Sequence, residues 1–203
     1  MRYMRNKFEF YGIKAPEWVA ILRQIFAQRG MFSGESLYAF VRLCFEDEYR
    51  ETHYCGLQML EKRIKTFPAE GIDFLEECVL SESWWDTVDW VNKLVGIHFK
   101  RYPQLQHATC ARWVSSNNIW LQRLTMIHQL TYKEATDFVL MTRMITGLKG
   151  SQEFFIQKGA GWALRQYSKT NGNAVISFID ANPDLAPLTK REGLKWLRSQ
   201  GLM

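Results

Sequence analysis

Apolar residues recur every three or four positions along almost the whole 203-residue chain, and no convincing period-two stretch interrupts them. That spacing matches a 3.6-residue turn, so each segment presents one apolar face and the chain reads as helix throughout. Proline and glycine punctuate the periodic runs. Eleven helices are predicted: 16–29, 36–45, 49–67, 72–80, 83–102, 104–114, 118–130, 133–145, 152–168, 174–179 and 189–198. Pro16 suits a first helical turn, where its missing N–H is not needed. Ser83 stands where an N-cap would open the longest helix, and Pro103 stops that helix.

Helices joined by short connections pack as antiparallel hairpins, and stacked hairpins build an α-solenoid with a curved inner surface. A compact bundle satisfies the same periodicity, and no clear internal repeat separates the two. The length fits one domain over residues 1–203. With 47% hydrophobic, 14% aromatic and 23% charged residues, the chain is neither disordered nor fibrous. Uncharged stretches reach only ten residues, as at 113–122, so no membrane span is expected. The basic N-terminus lacks the apolar core of a secretion signal. Cys44, Cys55, Cys78 and Cys110 form no CxxC pair, which points to reduced thiols, no zinc site and a cytoplasmic protein.

Charge is unevenly spread. The net charge is +5, but residues 1–89 hold 11 Lys/Arg against 15 Asp/Glu, a net of −4, whereas residues 90–203 hold 15 against 6, a net of +9. Between Asp89 and Glu134 no acid occurs, while Lys93, Lys100, Arg101, Arg112, Arg123 and Lys133 do. Such a block suits a polyanion, nucleic acid first, although a merely solvated basic face gives the same count.

Two helices carry an aromatic residue on the polar side. In 83–102, Trp84, Val88, Val91 and Val95 form a core stripe, widened by Trp90, Leu94 and Ile97. Trp85, Asp89, Asn92, Lys93, Gly96 and Lys100 line the opposite side. Residues four apart on a helix are neighbours, with Cβ atoms roughly 5–6 Å apart, so Trp85 sits directly beside Asp89. Such a pair is either a functional surface or a tryptophan packed under the next helix with Asp89 bound to an arginine. In 152–168, Ile156, Ala160, Ala163, Leu164 and Tyr167 face inward, and Lys158, Trp162, Arg165 and Lys169 share another face. A tryptophan within a basic stripe suits a nucleic-acid backbone. Gly159 and Gly161, costly inside a helix, imply close approach of another backbone, protein or DNA. In 118–130, Trp120, Leu124, Ile127 and Leu130 form the buried stripe, and Arg123 lies off it, free to bind phosphate or to neutralise Asp89. His53, His98, His107 and His128 are scattered, and no nucleophile or metal-ligand motif appears.

Several segments resemble the AlkD family of DNA alkylation-repair glycosylases: Ser83-Trp84-Trp85-Asp86-Thr87-Val88-Asp89; the run from Phe154 to Lys169, with Gly159-Ala160-Gly161-Trp162 at its centre; Trp120-Leu121-Gln122-Arg123; and Tyr3-Met4-Arg5-Asn6-Lys7-Phe8 with Gly12-Ile13. The resemblance spans nearly the whole chain. It implies an all-α solenoid of HEAT-like repeats whose concave, basic groove holds duplex DNA. It also implies excision of N3- and N7-alkylated purines such as 3-methyladenine and 7-methylguanine. By the family pattern Trp85, Asp89 and Trp162 are catalytic and Arg123 supports the DNA backbone. Lys93, Lys158, Arg165, Lys169 and Tyr3 are the further expected DNA contacts. Family members carry an additional N-terminal helix before the Tyr3-Met4 segment, so the first repeat is expected to be shortened.

The residues fit that chemistry. Cleaving an N-glycosidic bond develops positive charge on the sugar. A base already cationic from alkylation leaves as a neutral molecule and needs no general acid, so one carboxylate suffices. Asp89 would stabilise the cation and position water. The indole faces would attract positive charge as it develops. No cofactor, metal or lyase step is expected, and a monomer is the expected state. The competing reading is a helical-repeat scaffold that binds DNA or protein without catalysis; an RNA binder would rest on charge alone.

Overall fold

A computed structural model of the chain describes residues 4–203. Among them are eleven α-helices: α1 (Ala15–Arg29), α2 (Gly34–Phe45), α3 (Arg50–Arg63), α4 (Gly71–Leu80), α5 (Trp85–Arg101), α6 (Pro103–Val114), α7 (Ile119–Ile127), α8 (Phe138–Gly147), α9 (Phe154–Ser168), α10 (Gly172–Asp180) and α11 (Pro187–Ser199). The fold is all-α, as the periodicity predicts. The helices gather into two compact units, Met1–Leu94 and Val95–Met203.

Helix ends differ from expectation where local hydrogen bonding intervenes. Ser83 is no N-cap: its hydroxyl donates to the Val79 carbonyl at 2.5 Å, finishing the preceding helix, and α5 opens at Trp85. The 49–67 helix ends at Arg63 and tightens into a 3₁₀ turn over Ile64–Thr66 before Pro68. The expected 133–145 helix is broken. Lys133 has φ of +54°, a 3₁₀ turn covers Lys133–Ala135, and α8 begins only after Asp137, whose carboxylate accepts from Leu140 N–H at 2.8 Å. Gln129 locks that start, accepting from Asp137 N–H at 2.7 Å and donating to the Asp137 carbonyl at 3.2 Å. Asn118 caps α7 by accepting from the N–H groups of Trp120 and Leu121, and Asn171 caps α10.

In the first unit α2 packs on α3, with Leu37, Val41, Leu57 and Leu60 buried. The N-terminal segment clamps onto the start of α3. The buried Glu51 carboxylate accepts from three successive backbone N–H groups, those of Tyr11, Gly12 and Ile13, at 3.0–3.2 Å. Gly12, at φ of +82°, supplies the turn that points them inward. Tyr11 stacks on Tyr49 at 3.9 Å, and Arg50 N–H donates to the Glu9 carbonyl at 2.9 Å.

In the second unit α9 is central, packed on α7, α10 and α11. Gly161 allows this: a Cβ there would lie 2.5 Å from the Cβ of Glu192 and 3.0 Å from the Thr189 carbonyl oxygen. Gly96 plays the same part on α5, where a Cβ would run into the carbonyl oxygen of His128. His128 is fully enclosed. Its Nδ1 bonds the Leu124 carbonyl at 2.9 Å and its Nε2 lies 3.1 Å from the Gln106 amide nitrogen. A neutral ring, donating through Nδ1–H and accepting at Nε2, satisfies both contacts.

Burial pushes the His128 imidazole down to about 4 from its ordinary 6.5. Between those values the unfolded chain binds a proton that the folded chain refuses, so stability falls as pH drops through that window. The loss from this residue is roughly 2 kcal/mol at pH 5. Thermal melts from pH 7 to pH 5 test this: wild type is expected to soften steeply and a His128→Gln variant more shallowly. Equal slopes would contradict it.

Candidate active site

The first part of the site is built on a buried ion pair. Arg50, the first residue of α3, has no exposed surface, and its guanidinium forms a bidentate pair with Asp86 at 2.8 and 2.9 Å. It also donates to Thr87 Oγ1 and the Glu82 carbonyl, each at 2.8 Å, and contacts His53 Nδ1 at 2.9 Å. Phe8 covers it, with the guanidinium carbon 3.8 Å from the ring centroid. Tyr54 donates its hydroxyl to Asp86 at 2.7 Å. Burial alone would push the Asp86 carboxyl up, but the hydrogen bonds and charge of Arg50 hold it below the ordinary carboxylate range. Burial likewise depresses the His53 imidazole, aided by the Arg50 charge. His53 is thus suited to accept from Arg50 at Nδ1 while Nε2–H meets the Asp47 carbonyl at 2.8 Å.

Asp86 and Thr87 are the second and third residues of α5, so these contacts fix the helix's first turn. Trp85 and Asp89 flank that anchored pair, one turn apart, and both are half-buried. Trp84 points the other way, into the core, with Lys7 Nζ 4.3 Å from its ring. Further along α5, Glu61 of α3 accepts from Trp90 Nε1 at 2.8 Å and pairs with Lys93 at 2.5 Å. Trp18, Tyr54 and Trp90 form an aromatic cluster with centroids 6.0–6.2 Å apart.

The second part lies on α7 and α9. Trp162 is half-buried on α9, and the Arg123 guanidinium carbon is 5.8 Å from its ring centroid. Arg123 lies off the apolar stripe and is nonetheless buried. It is 3% exposed and donates to the Phe155 carbonyl at 2.7 Å. Gly159 makes the room, since a Cβ there would sit 3.0 Å from Arg123 Nη1. Both glycines of the α9 motif therefore serve protein packing. Of the basic stripe, Lys158 and Arg165 converge on Glu192 of α11, at 2.8 and 2.7 Å. Lys158 above all holds that carboxyl below its ordinary range. Lys169 is exposed and touches Gln166 Oε1 at 3.0 Å. Tyr3 lies outside the described residues.

Trp85 with Asp89, and Arg123 with Trp162, are thus the two groupings present, one in each unit. Sequence reasoning missed Arg50, Asp86, Glu61 and Glu192. Asp86 stood inside the quoted motif, but its partner is 36 positions away and unrelated in spacing. Glu192 stands in a tail helix amid Lys190, Arg191, Lys195 and Arg198, where nothing in the spacing marks it.

Removing one partner of a buried pair leaves the other charge uncompensated, at a cost of about 3–5 kcal/mol. Asp86→Ala is expected to lower unfolding free energy by that order at pH 7 in urea titrations. Asp86 contributes fully above about pH 4, and its contribution is lost as pH falls through its depressed folded value, so wild type and variant converge in acid. A gap that is small at pH 7, or that persists unchanged in acid, would refute the pairing.

A model of the family described as DNA alkylation repair enzyme matches residues 1–197. A solved structure, described as a predicted DNA alkylation repair enzyme from Enterococcus faecalis, superposes with a TM-score of 0.90 at 32% identity, covering 97% of this chain and 92% of that one. No curated protein sequence matches. With its helical fold and a family match over nearly its full length, the chain belongs to the DNA alkylation repair enzyme family.

Proposed function

We propose that the protein is a monofunctional DNA glycosylase that hydrolyses the N-glycosidic bond of cationic N3- and N7-alkylated purines, such as 3-methyladenine and 7-methylguanine, in duplex DNA. The observation that carries this reading is the half-exposed pair of Trp85 and Asp89 on a helix start anchored by Arg50 and Asp86. In this reading Asp89 faces the sugar as positive charge develops and aligns the attacking water. Trp85 and Trp162 would each lie against the sugar–phosphate backbone, their ring faces attracting positive charge. The alkylated base departs neutral, so no general acid is required, and with no lysine as nucleophile no strand cleavage follows.

Arg123 takes a different part from the one its sequence position implied. Buried against Gly159 and Phe155, it acts as a positioning residue for Trp162. Lys93, Lys158, Arg165 and Lys169 would attract the backbone. The Glu61 and Glu192 pairings temper that charge and hold three of these side chains in place. The DNA would run along a concave face of HEAT-like repeats. No helix of the described residues is long and apolar enough to cross a membrane, and the four cysteines are free thiols. A cytoplasmic monomer acting without cofactor completes the reading.

The experiment is release of free base from methylated duplex DNA, followed chromatographically. Wild type is expected to release 3-methyladenine or 7-methylguanine. Asp89→Asn is expected to slow single-turnover release by about 10²–10³-fold, with duplex affinity within about twofold. Duplex binding with no base release would support the scaffold reading instead, and near-normal release by the variant would remove Asp89 from the reaction.

A further inference from the structure

A cavity of about 290 Å³ opens on the second unit between the 129–136 segment and the C-terminal half of α9. The buried Met141 and Ala163 line it together with Lys133, Gln166 and Lys169. Glu134 is the one acid among the described residues lining it, so the rim is net positive. The volume exceeds what a bare ion needs and suits a phosphodiester with part of its sugar.

Two observations indicate that the cavity is built. First, Lys133 holds a left-handed backbone, φ of +54°, a conformation costing a non-glycine residue about 1–2 kcal/mol. Such strain persists only where surrounding contacts over-determine it, and an observed outlier of this kind is a pointer to function. The contacts are present on both sides. Tyr132, buried, donates its hydroxyl to the Gly96 carbonyl at 2.6 Å. Thr136 N–H closes the turn on the Lys133 carbonyl at 3.1 Å, and Gln129 clamps Asp137 through both backbone groups. The lysine is therefore presented by a rigid turn. Second, α9 connects the cavity to the site. Trp162 and Gln166, four apart, share one face of α9, and Lys169, the C-cap three residues on and still in right-handed backbone, continues it. Seven residues advance about 10 Å along the axis. One DNA strand carries a charge every 3.4 Å or so of its axis, so a strand running alongside α9 would span that 10 Å with about three nucleotides.

We infer that this cavity is a phosphate subsite for the DNA strand, in which Lys133 and Lys169 grip a backbone phosphodiester about three nucleotides from the sugar that meets Trp162. The inference rests on the proposed function and extends it. It makes Lys133, outside every motif that marks the family, a determinant of register along the duplex: the cavity holds one phosphate while Trp162 meets one sugar.

The test is fluorescence anisotropy of wild type, Lys133→Asn and Lys133→Arg on a labelled duplex across a salt series. Asparagine tolerates the left-handed backbone, so the first variant removes charge without disturbing the turn. Lys133→Asn is expected to weaken affinity about three- to tenfold at moderate salt and to lower the log–log salt slope by about one, and Lys133→Arg to restore both. Duplexes with a single neutral methylphosphonate, scanned along each strand, locate the contact. At one position the substitution should weaken wild type while leaving Lys133→Asn unaffected. A salt slope in Lys133→Asn equal to wild type, or no methylphosphonate position whose effect disappears in that variant, overturns the subsite. Base release by wild type is measured in parallel. Intact release with an unaffected Lys133→Asn removes the subsite alone, whereas wild type that neither binds duplex DNA nor releases base removes both readings.

Discussion

A fully buried guanidinium sets the terms for the rest of the structure. Taking Arg50 out of water is tolerable only if its charge is matched and its N–H groups are occupied. Asp86, Thr87 and the Glu82 carbonyl meet that demand, all at the junction where α4 gives way to α5. The first turn of α5 is consequently anchored to α3. Trp85 and Asp89, which flank the anchored residues, inherit a defined direction from the core. Met4, Lys7 and Phe8 belong to the same arrangement: Met4 is buried, Lys7 covers Trp84 and Phe8 covers Arg50. The N-terminal segment and the tryptophan motif are two sides of one packed ion pair.

The second unit repeats the device with different parts. Arg123 is buried behind Trp162, its place secured by the absence of a side chain at Gly159 and by the Phe155 carbonyl. In each unit an arginine spends its hydrogen bonds inward, and a tryptophan beside the anchored element keeps part of its surface outside. The surface cations are restrained as well. Glu192 gathers Lys158 and Arg165, and Glu61 gathers Lys93. A charged face ordered in this way loses less side-chain entropy on meeting a polyanion than one of free lysines.

Much of this was legible in the sequence. Helix identity followed from the apolar spacing, and the core stripe of Trp84, Val88, Val91 and Val95 is buried as the period requires. The Trp85–Asp89 adjacency needed only the helical repeat. What escaped was long-range or conformational. Arg50 and Glu192 act across 27 to 36 positions, and no local pattern encodes their partners. The break at Lys133 was missed because its apolar spacing continues through the turn, while the Asp137 cap and the Gln129 clamp that create it depend on tertiary placement. The apolar stripe of its own helix does not reveal that Arg123 is buried. A missing Cβ at Gly159, on another helix, decides it.

In the proposed reaction one carboxylate, that of Asp89, meets positive charge on the sugar. The most direct measurement compares affinity for two duplexes, one carrying a cationic pyrrolidine in place of a single deoxyribose, the other a neutral tetrahydrofuran. Wild type is expected to prefer the cationic ring by about tenfold or more, on the order of the 1.4 kcal/mol that a single well-placed charge interaction supplies. In Asp89→Asn that preference should vanish. Equal affinity of wild type for the two rings, or a preference that survives the substitution, would exclude Asp89 as the group that meets that charge.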